Sequence, residues 1–258
     1  MDAREQAFIN VTVPVYNEEQ VLAASVAKIA AMLNKCGYRY EIVIANNAST
    51  DRTLPLANSI AAESNAVRVL HLEEKGRGRA VKAAWRQSSA DILSYMDVDL
   101  STDLAAFPLL IEPLLTGRFD LAVGSRLLDK SLTRRGVKRE FISRSYNLLV
   151  KAMFRTRFSD AQCGFKAVTR AAAADLLPLV EDDNWFMDSE LLILAERLGY
   201  RIFDLPVRWV DDPDSRVQLW STALQDIGGL IRVYRRLHRM TSPSSRLHRR
   251  HTAPFSAR

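Results

Sequence analysis

"DILSYMDVDLSTD", residues 91–103, runs from a short apolar segment straight into three carboxylates, Asp97, Asp99 and Asp103. Its first part, "DILSYMDVD", reads as a buried strand. A strand that ends by crowding negative charge needs compensation, because neighbouring carboxylates repel one another and are costly to desolvate without a cation or hydrogen bonds. Something positive is expected beside them. Asp97 and Asp99 flank Val98, so an extended backbone would send both to one side, where their oxygens could share one hard cation. Asp103 has a plainer use as the cap of a helix beginning near Leu104.

Upstream of this stretch, short apolar runs alternate with helical patterns. "FINVTVPVY" (8–16), "YEIVIAN" (40–46) and "VRVLHL" (67–72) read as strands, and "NEEQVLAASVAKIAAMLNKCG" (17–37), "DRTLPLANSIAAES" (51–64) and "GRAVKAAWRQSS" (78–89) as helices. That alternation predicts an α/β fold with a mostly parallel sheet flanked by helices. In such a sheet, acids at the carboxyl ends of strands lie on the edge where ligands bind. Downstream the pattern loosens. "FDLAVGSR" (119–126) reads as a strand, "REFISRSYNLLVKAMF" (139–154) as an amphipathic helix with Arg139, Ser143 and Tyr146 on one side, and "FSDAQCGFKAV" (158–168) as a polar insertion. A helix over 186–200 and a strand over 201–210 follow.

A chain of 258 residues that is 48% hydrophobic can bury a full core. The expected organisation is a catalytic-type domain over 1–214, an amphipathic helix over 215–240 and a disordered basic tail over 241–258. The net charge of +6 and an isoelectric point near 9.5 point to an anionic partner, and the excess gathers from Arg232 to Arg258, where no acidic residue occurs. That stretch lacks interleaved aromatic platforms, so an anionic membrane surface is expected rather than nucleic acid. Cys36 and Cys163 lie far apart without metal-ligand spacing, which argues against a disulfide framework or zinc site and fits a reducing cytosol. The first ten residues lack an apolar signal core, and no apolar run reaches the ~18 residues of a membrane span. A cytoplasmic protein bound peripherally to the membrane's cytoplasmic face is the expectation.

Six segments carry a resemblance when taken in order. They are "VPVYNEE" (13–19), "NNASTD" (46–51), "KGRGRAVKAAW" (75–85), "DVDLSTD" (97–103), "GSR" (124–126) and "DAQCGFKAV" (160–168). Together they resemble the inverting family 2 GT-A glycosyltransferases, in the group of dolichyl-phosphate and polyprenyl-phosphate sugar synthases. The resemblance spans roughly Phe8 to Val217. It implies a Rossmann-like GT-A fold and transfer of a hexose from UDP-glucose or GDP-mannose to a polyprenyl monophosphate.

The resemblance also implies roles. Pro14, Tyr16, Asn17 and Glu18 would meet the nucleotide, although Asn17 could also cap the helix after it. Asn46 would meet the nucleobase where relatives more often carry Asp; an amide can still accept a hydrogen bond but brings no charge. Lys75, Arg77 and Arg79 would supply cations beside the diphosphate, with glycines allowing close backbone approach. Asp97, Val98 and Asp99 would form the nucleotide and metal corner, holding Mg²⁺ or Mn²⁺ with Ser101 as a further ligand, at a place where mannose-type relatives often carry Gln. Arg126, Arg139 and Ser143 would bind the acceptor phosphate, and Arg216 the donor phosphates. Trp185, Asp188 and Glu190 match a further family segment, with Asp188 also readable as a helix cap.

Asp99, Arg126 and Arg139 are the residues expected to carry the reaction. A phosphate monoester with a second pKa near ~6 is already ionised at neutral pH and needs no general base. Two other readings stay open: a GT-A enzyme acting on a hydroxyl acceptor, and a non-catalytic membrane-associated module that binds nucleotide sugar. Near the end, Val217, Trp220, Leu224, Ile227 and Ile231 recur at helical spacing before Arg232, Arg235, Arg236 and Arg239. The segment's apolar face reads equally as that of an interfacial helix or of a helix packed on the domain's own core, with the arginines turned to anionic headgroups and Gly228 and Gly229 expected to weaken it.

Overall fold

The computed structural model describes residues 7–129, 133–134, 137–210 and 219–241, with side chains over 7–129, 140–210 and 225–239. In the first half β1 (Phe8–Val15), α1 (Leu22–Cys36), β2 (Arg39–Asn47), α2 (Thr53–Ala62), β3 (Val67–Leu72), α3 (Arg77–Gln87) and β4 (Ile92–Met96) alternate. Their strands run parallel in the order β3-β2-β1-β4. Because such a sheet is covered on both faces, polar residues on its strands must be satisfied internally. On β1 the buried Ile9, Val11 and Val13 alternate with the equally buried Asn10 and Thr12. The Asn10 amide donates to Glu41 at 2.8 Å, and the Thr12 hydroxyl donates to Asn10 at 2.8 Å.

The second half comprises α4 (Phe107–Leu115), β5 (Leu121–Ser125), β6 (Thr133–Arg134), α5 (Val137–Phe154), β7 (Phe165–Thr169), α6 (Arg170–Leu176), α7 (Met187–Leu198), β8 (Ile202–Pro206), β9 (Trp209–Val210) and α8 (Leu219–Thr241). The sheet extends to seven strands in the order β3-β2-β1-β4-β7-β5-β8, with β7 antiparallel to both neighbours. The segment expected as a polar insertion thus supplies a central strand. Its lysine misleads: Lys166 is buried, donating to the Cys163 carbonyl at 2.6 Å and pairing with Asp188 at 3.1 Å.

The expected single strand over 201–210 is two. After Pro206 ends its ladder, β9 leaves the main sheet, pairs with β6, and forms an isolated bridge from Trp209 to Thr102. Backbone bonds from Val210 N to the Ser101 carbonyl (3.0 Å) and from Asp103 N to the Arg208 carbonyl (3.1 Å) fasten the acidic turn to this strand.

Helix α8 departs from its expected face. Among its described side chains Leu230 and Val233 are the buried apolar ones, whereas Ile227 and Ile231 are exposed; the side chains of Val217, Trp220 and Leu224 lie outside those described. Gly228 and Gly229 do not break the helix, and Gly229 is a packing contact, since a Cβ there would fall on the Phe186 ring. Arg232 pairs with Glu181, Asp182 and Glu190 at 3.4–3.5 Å, and Arg236 with Glu181 at 3.0 Å. These two arginines fasten the helix to the domain, contrary to the reading that gave all four to an outside surface. Arg235 and Arg239 are exposed. The junction at 211–218 and the tail from 242 onward lie outside the described residues.

Candidate active site

The strand ends at Met96, one residue before the first acid, so Asp97 and Asp99 occupy a turn instead of the extended segment expected. Leu100 N donates to the Asp97 carbonyl at 3.2 Å, and Leu100 takes φ 52°. The turn still brings both carboxylates to one cleft, lined also by Ser101, Thr102, Gly164 and Trp209. Asp97 is half-buried and Asp99 exposed. Asp99 accepts a bond from Ser101 N at 2.9 Å, and Asp103 caps the short helix after it through Ala105 N at 2.9 Å, as expected. Gly164 is the cradle for Asp97: a Cβ there would fall on its Oδ2 atom.

The positive group demanded by this acidic end is Arg77. Its guanidinium donates to Asp97 at 2.8 Å and to Asp188 at 2.7 Å, and lies between the rings of Tyr95 (5.0 Å) and Trp185 (4.8 Å). Asp188 therefore does not cap α7. It is buried, and although burial alone would raise its pKa, Lys166 and Arg77 hold it below the usual carboxylate range. The Tyr95 hydroxyl also donates to it, and burial pushes that phenol's pKa well up. Glu190 is buried as well, accepting from Asp182 N at 2.8 Å and Glu181 N at 3.1 Å. The glycines of "KGRGRAV" allow this same close packing. A Cβ at Gly78 would sit 2.6 Å from the Met187 Cβ, and one at Gly76 would sit 2.6 Å from the Asp183 carbonyl.

Neighbouring strand ends assemble the rest. Asn17, at φ 57°, does not cap α1, whose cap position is Val21; it clasps the β2–α2 loop by accepting from Thr50 N at 2.8 Å and by its own N–H donating to the Ser49 hydroxyl at 3.0 Å. Glu18 N donates to the Thr53 hydroxyl at 2.8 Å, and Pro14 lies on β1 opposite Ala45. Lys75 donates to the Tyr16 hydroxyl and covers its ring at 4.1 Å, a contact that lowers the Tyr16 pKa. Asn46 is fully buried, 2.7 Å from His71 Nδ1, so the reading that put it against a base meets it one layer down, beneath an exposed histidine. Arg79 pairs with Glu74 and, at 3.2 Å, with Asp183.

On the other side, Arg126 is buried in a two-pronged pair with Asp160, Nε at 2.7 Å and Nη2 at 2.8 Å, and lies 5.0 Å from the centre of the Trp209 ring. The residue expected at the acceptor phosphate thus has an internal partner in Asp160. Arg139 and Ser143 fall one turn apart on α5, but the Arg139 side chain is outside those described, as is Arg216. Val98 is buried in the turn.

Among the described residues no group of three or more His, Cys, Asp or Glu side chains gathers as a metal cluster. Two carboxylates at a cleft nonetheless fit a hard cation of the Mg²⁺ or Mn²⁺ type, which takes few protein carboxylates and completes its shell from water and substrate phosphates.

Residues 10–200 match the sequence family described as Glycosyl transferase family 2. The chain belongs to this family. It is 35% identical over 225 residues to glycosyltransferase AglD of Haloferax volcanii, a match that covers 86% of this chain and 35% of AglD. It is 31% identical over 233 residues to the dolichyl-phosphate beta-glucosyltransferase of Mus musculus, covering 83% of this chain and 71% of that one. Among solved structures, glucosyl-3-phosphoglycerate synthase from Mycobacterium tuberculosis, in complex with Mn²⁺, UDP-glucose and phosphoglyceric acid, superposes with a TM-score of 0.67 at 22% identity, covering 90% and 81% of the two chains. That likeness is one of fold, and it is the GT-A fold.

Within this family frame, sequence reading found the carboxylate turn and missed what surrounds it. Thr102 and Trp209 line the cleft and Asp160 holds Arg126, and none of the three was given a role there. For Trp209 a signal existed, an aromatic at the end of an apolar run following Pro206, but its position depends on β9 leaving the sheet.

Proposed function

We propose that the chain transfers a hexose, glucose from UDP-glucose being the first choice, to a polyprenyl monophosphate with inversion at the anomeric carbon. The observation that carries this reading is the carboxylate turn at the carboxyl end of β4, in a family member whose relatives include dolichyl-phosphate beta-glucosyltransferases over 67–74% of their own length. Asp97 and Asp99, with Ser101 beside them, would hold Mg²⁺ or Mn²⁺. That cation would stabilise negative charge on the departing nucleoside diphosphate. Arg77 holds Asp97 in place, and Lys75 with Tyr16 edges the nucleotide loop. Arg139 and Ser143 would receive the acceptor phosphate, with the charge of Arg126 acting from across the Trp209 ring.

In the reaction, a phosphate oxygen of the lipid forms a bond to the anomeric carbon as the bond from that carbon to the diphosphate breaks. The nucleoside diphosphate leaves with the electron pair. No proton need be removed from an ionised phosphate; among the described residues the carboxylates lining the cleft are Asp97 and Asp99, while Asp188 and Glu190 are buried and bonded. This favours a phosphate over a hydroxyl acceptor, which would require a carboxylate free to act as base.

The acceptor is a lipid, and among the described residues no helix is long and apolar enough to cross a membrane. Phe141 and Leu148 on α5 and Ile227, Ile231 and Tyr234 on α8 are exposed, with Arg235 and Arg239 on α8 also exposed. This combination suits peripheral contact with an anionic membrane at its cytoplasmic face.

The test offers purified protein a panel of labelled UDP-glucose, UDP-galactose and GDP-mannose with polyprenyl phosphate and either Mn²⁺ or chelator. Label should become lipid-soluble and mild-acid-labile from one donor and only with metal. Donor binding without turnover of any of the three would overturn the reading in favour of a binding module.

A further inference from the structure

Two residues that line the cleft beside the carboxylate turn carry a buried polar atom without a partner among the described residues. Thr102 and Trp209 are 5% and 8% exposed, and the Thr102 hydroxyl and the Trp209 indole nitrogen are buried without a hydrogen-bond partner among the described residues. Both residues line the same cleft as Asp97, Asp99 and Ser101. Their backbones are locked together by the bridge between residues 102 and 209. The Trp209 ring is further held by Arg126, 5.0 Å from its centre. Buried polar atoms are nearly always satisfied, and leaving one unsatisfied is costly. Two such atoms, on residues that line one cleft and share a backbone bridge, point to a place completed by ligand.

The chemistry of that ligand follows from the groups present. An indole N–H only donates, a threonine hydroxyl donates and accepts, and the two aspartates only accept. A sugar hydroxyl both donates and accepts, so it can bond to both kinds of group at once. A phosphate oxygen only accepts, so it could bond to the two donors but not to the aspartates. We propose that Thr102 and Trp209 bind hydroxyl groups of the transferred hexose and so select which hexose is accepted. The proposal rests on the transferase reading above and adds to it a sugar subsite built from the residues that fasten the acidic turn to β9. A hexose epimer that moves one hydroxyl away from these donors leaves them unpaired again, which is how such a site rejects a close analogue.

The test is calorimetric titration of the full chain with UDP and with UDP-glucose in the presence of Mn²⁺, for wild type, Thr102→Val and Trp209→Phe. Thr102→Val keeps the side-chain shape and removes only the hydroxyl, so it remains informative if Trp209→Phe is destabilised, which a melting curve reveals. Each variant should bind UDP as wild type does and UDP-glucose about fivefold to tenfold more weakly, the value of one hydrogen bond. In a series of deoxyglucose donors, one position should exist at which Thr102→Val adds no further loss. Equal weakening of UDP and UDP-glucose, or none, overturns the assignment. So does a change confined to the KM for polyprenyl phosphate, which would place the acceptor's phosphate here. If wild type itself binds none of the nucleotide sugars in the panel, the transferase reading fails first, and that is visible before any variant is made.

Discussion

Two buried arginines touch the walls of the cleft, and they are built alike: each lies against a tryptophan and each gives its fork to carboxylate. Arg77 bonds to Asp97, which faces the cleft, and to Asp188, which does not; Arg126 gives two prongs of its fork to Asp160. Their surroundings differ in what remains when the arginine is removed. Asp160 is fully buried, so loss of Arg126 strands a charge in the core. Asp97 is half-buried and Asp188 keeps Lys166 at 3.1 Å, so loss of Arg77 is cushioned. The same motif therefore does two jobs: Arg126 secures the fold around the cleft, and Arg77 sets a carboxylate inside it.

The comparison is open to attack from several sides. Arg126→Ala should lose about 3–5 kcal/mol of unfolding free energy, the range for breaking a buried pair from one side. Arg77→Ala should lose less in the same denaturant titration, and the reverse order would break the distinction. Asp99→Asn should reduce the transfer rate about 10³-fold, equivalent to ~4 kcal/mol of barrier, because it takes a charge from the metal corner. Its melting temperature should stay near wild type, since Asp99 is exposed. Restored rates at saturating Mn²⁺ would show that Asp99 only binds the cation.

A third buried carboxyl sharpens the contrast because among the described residues no arginine is seen to pair with it. Asp226 on α8 is 3% exposed and accepts from Gln162 at 2.5 Å; burial pushes its pKa up from 3.8 to about 7. A carboxyl whose native pKa is raised holds its proton in the folded state after the unfolded chain has released it. Stability should therefore fall as pH rises from about 4 to about 7. Asp226→Asn should match wild type near pH 4 and exceed it by on the order of 2 kcal/mol near pH 8. A pH-independent difference would mean that packing, and not charge, sets its effect. The smallest effect belongs to the outer surface. Replacing Ile231 and Arg235 together by Ser should weaken cosedimentation with anionic vesicles severalfold while leaving melting temperature unchanged, with added salt mimicking part of the loss.

The alternating half of the sheet was legible because its signals are local. Apolar runs, Gly37 and the acids after β4 each speak for their own segment, and β3 falls on the residues its pattern marks, Val67–Leu72. The site's acids were legible for the same reason. What was not legible is pairing across the chain. Arg77 meets Asp188 from 111 residues away, and a lysine in a core strand reads as surface until Asp188 is seen beside it. The glycines around Arg77 announce only close approach; that Asp183 and Met187 are among what approaches is a tertiary fact. The arginines of α8 misled in the same way, since Glu181, Asp182 and Glu190 lie on another element.

The central claim, that the acceptor is an ionised phosphate served without a protein base, is tested most directly by offering two acceptors that differ only in that group. Wild-type protein with its labelled donor and Mn²⁺ is given a polyprenyl monophosphate or the matching polyprenol in the same detergent, and label entering each lipid is counted. The account expects label in the phosphate alone. Comparable transfer to the free alcohol would contradict it and would require a base that this arrangement of Asp188 and Glu190 does not supply.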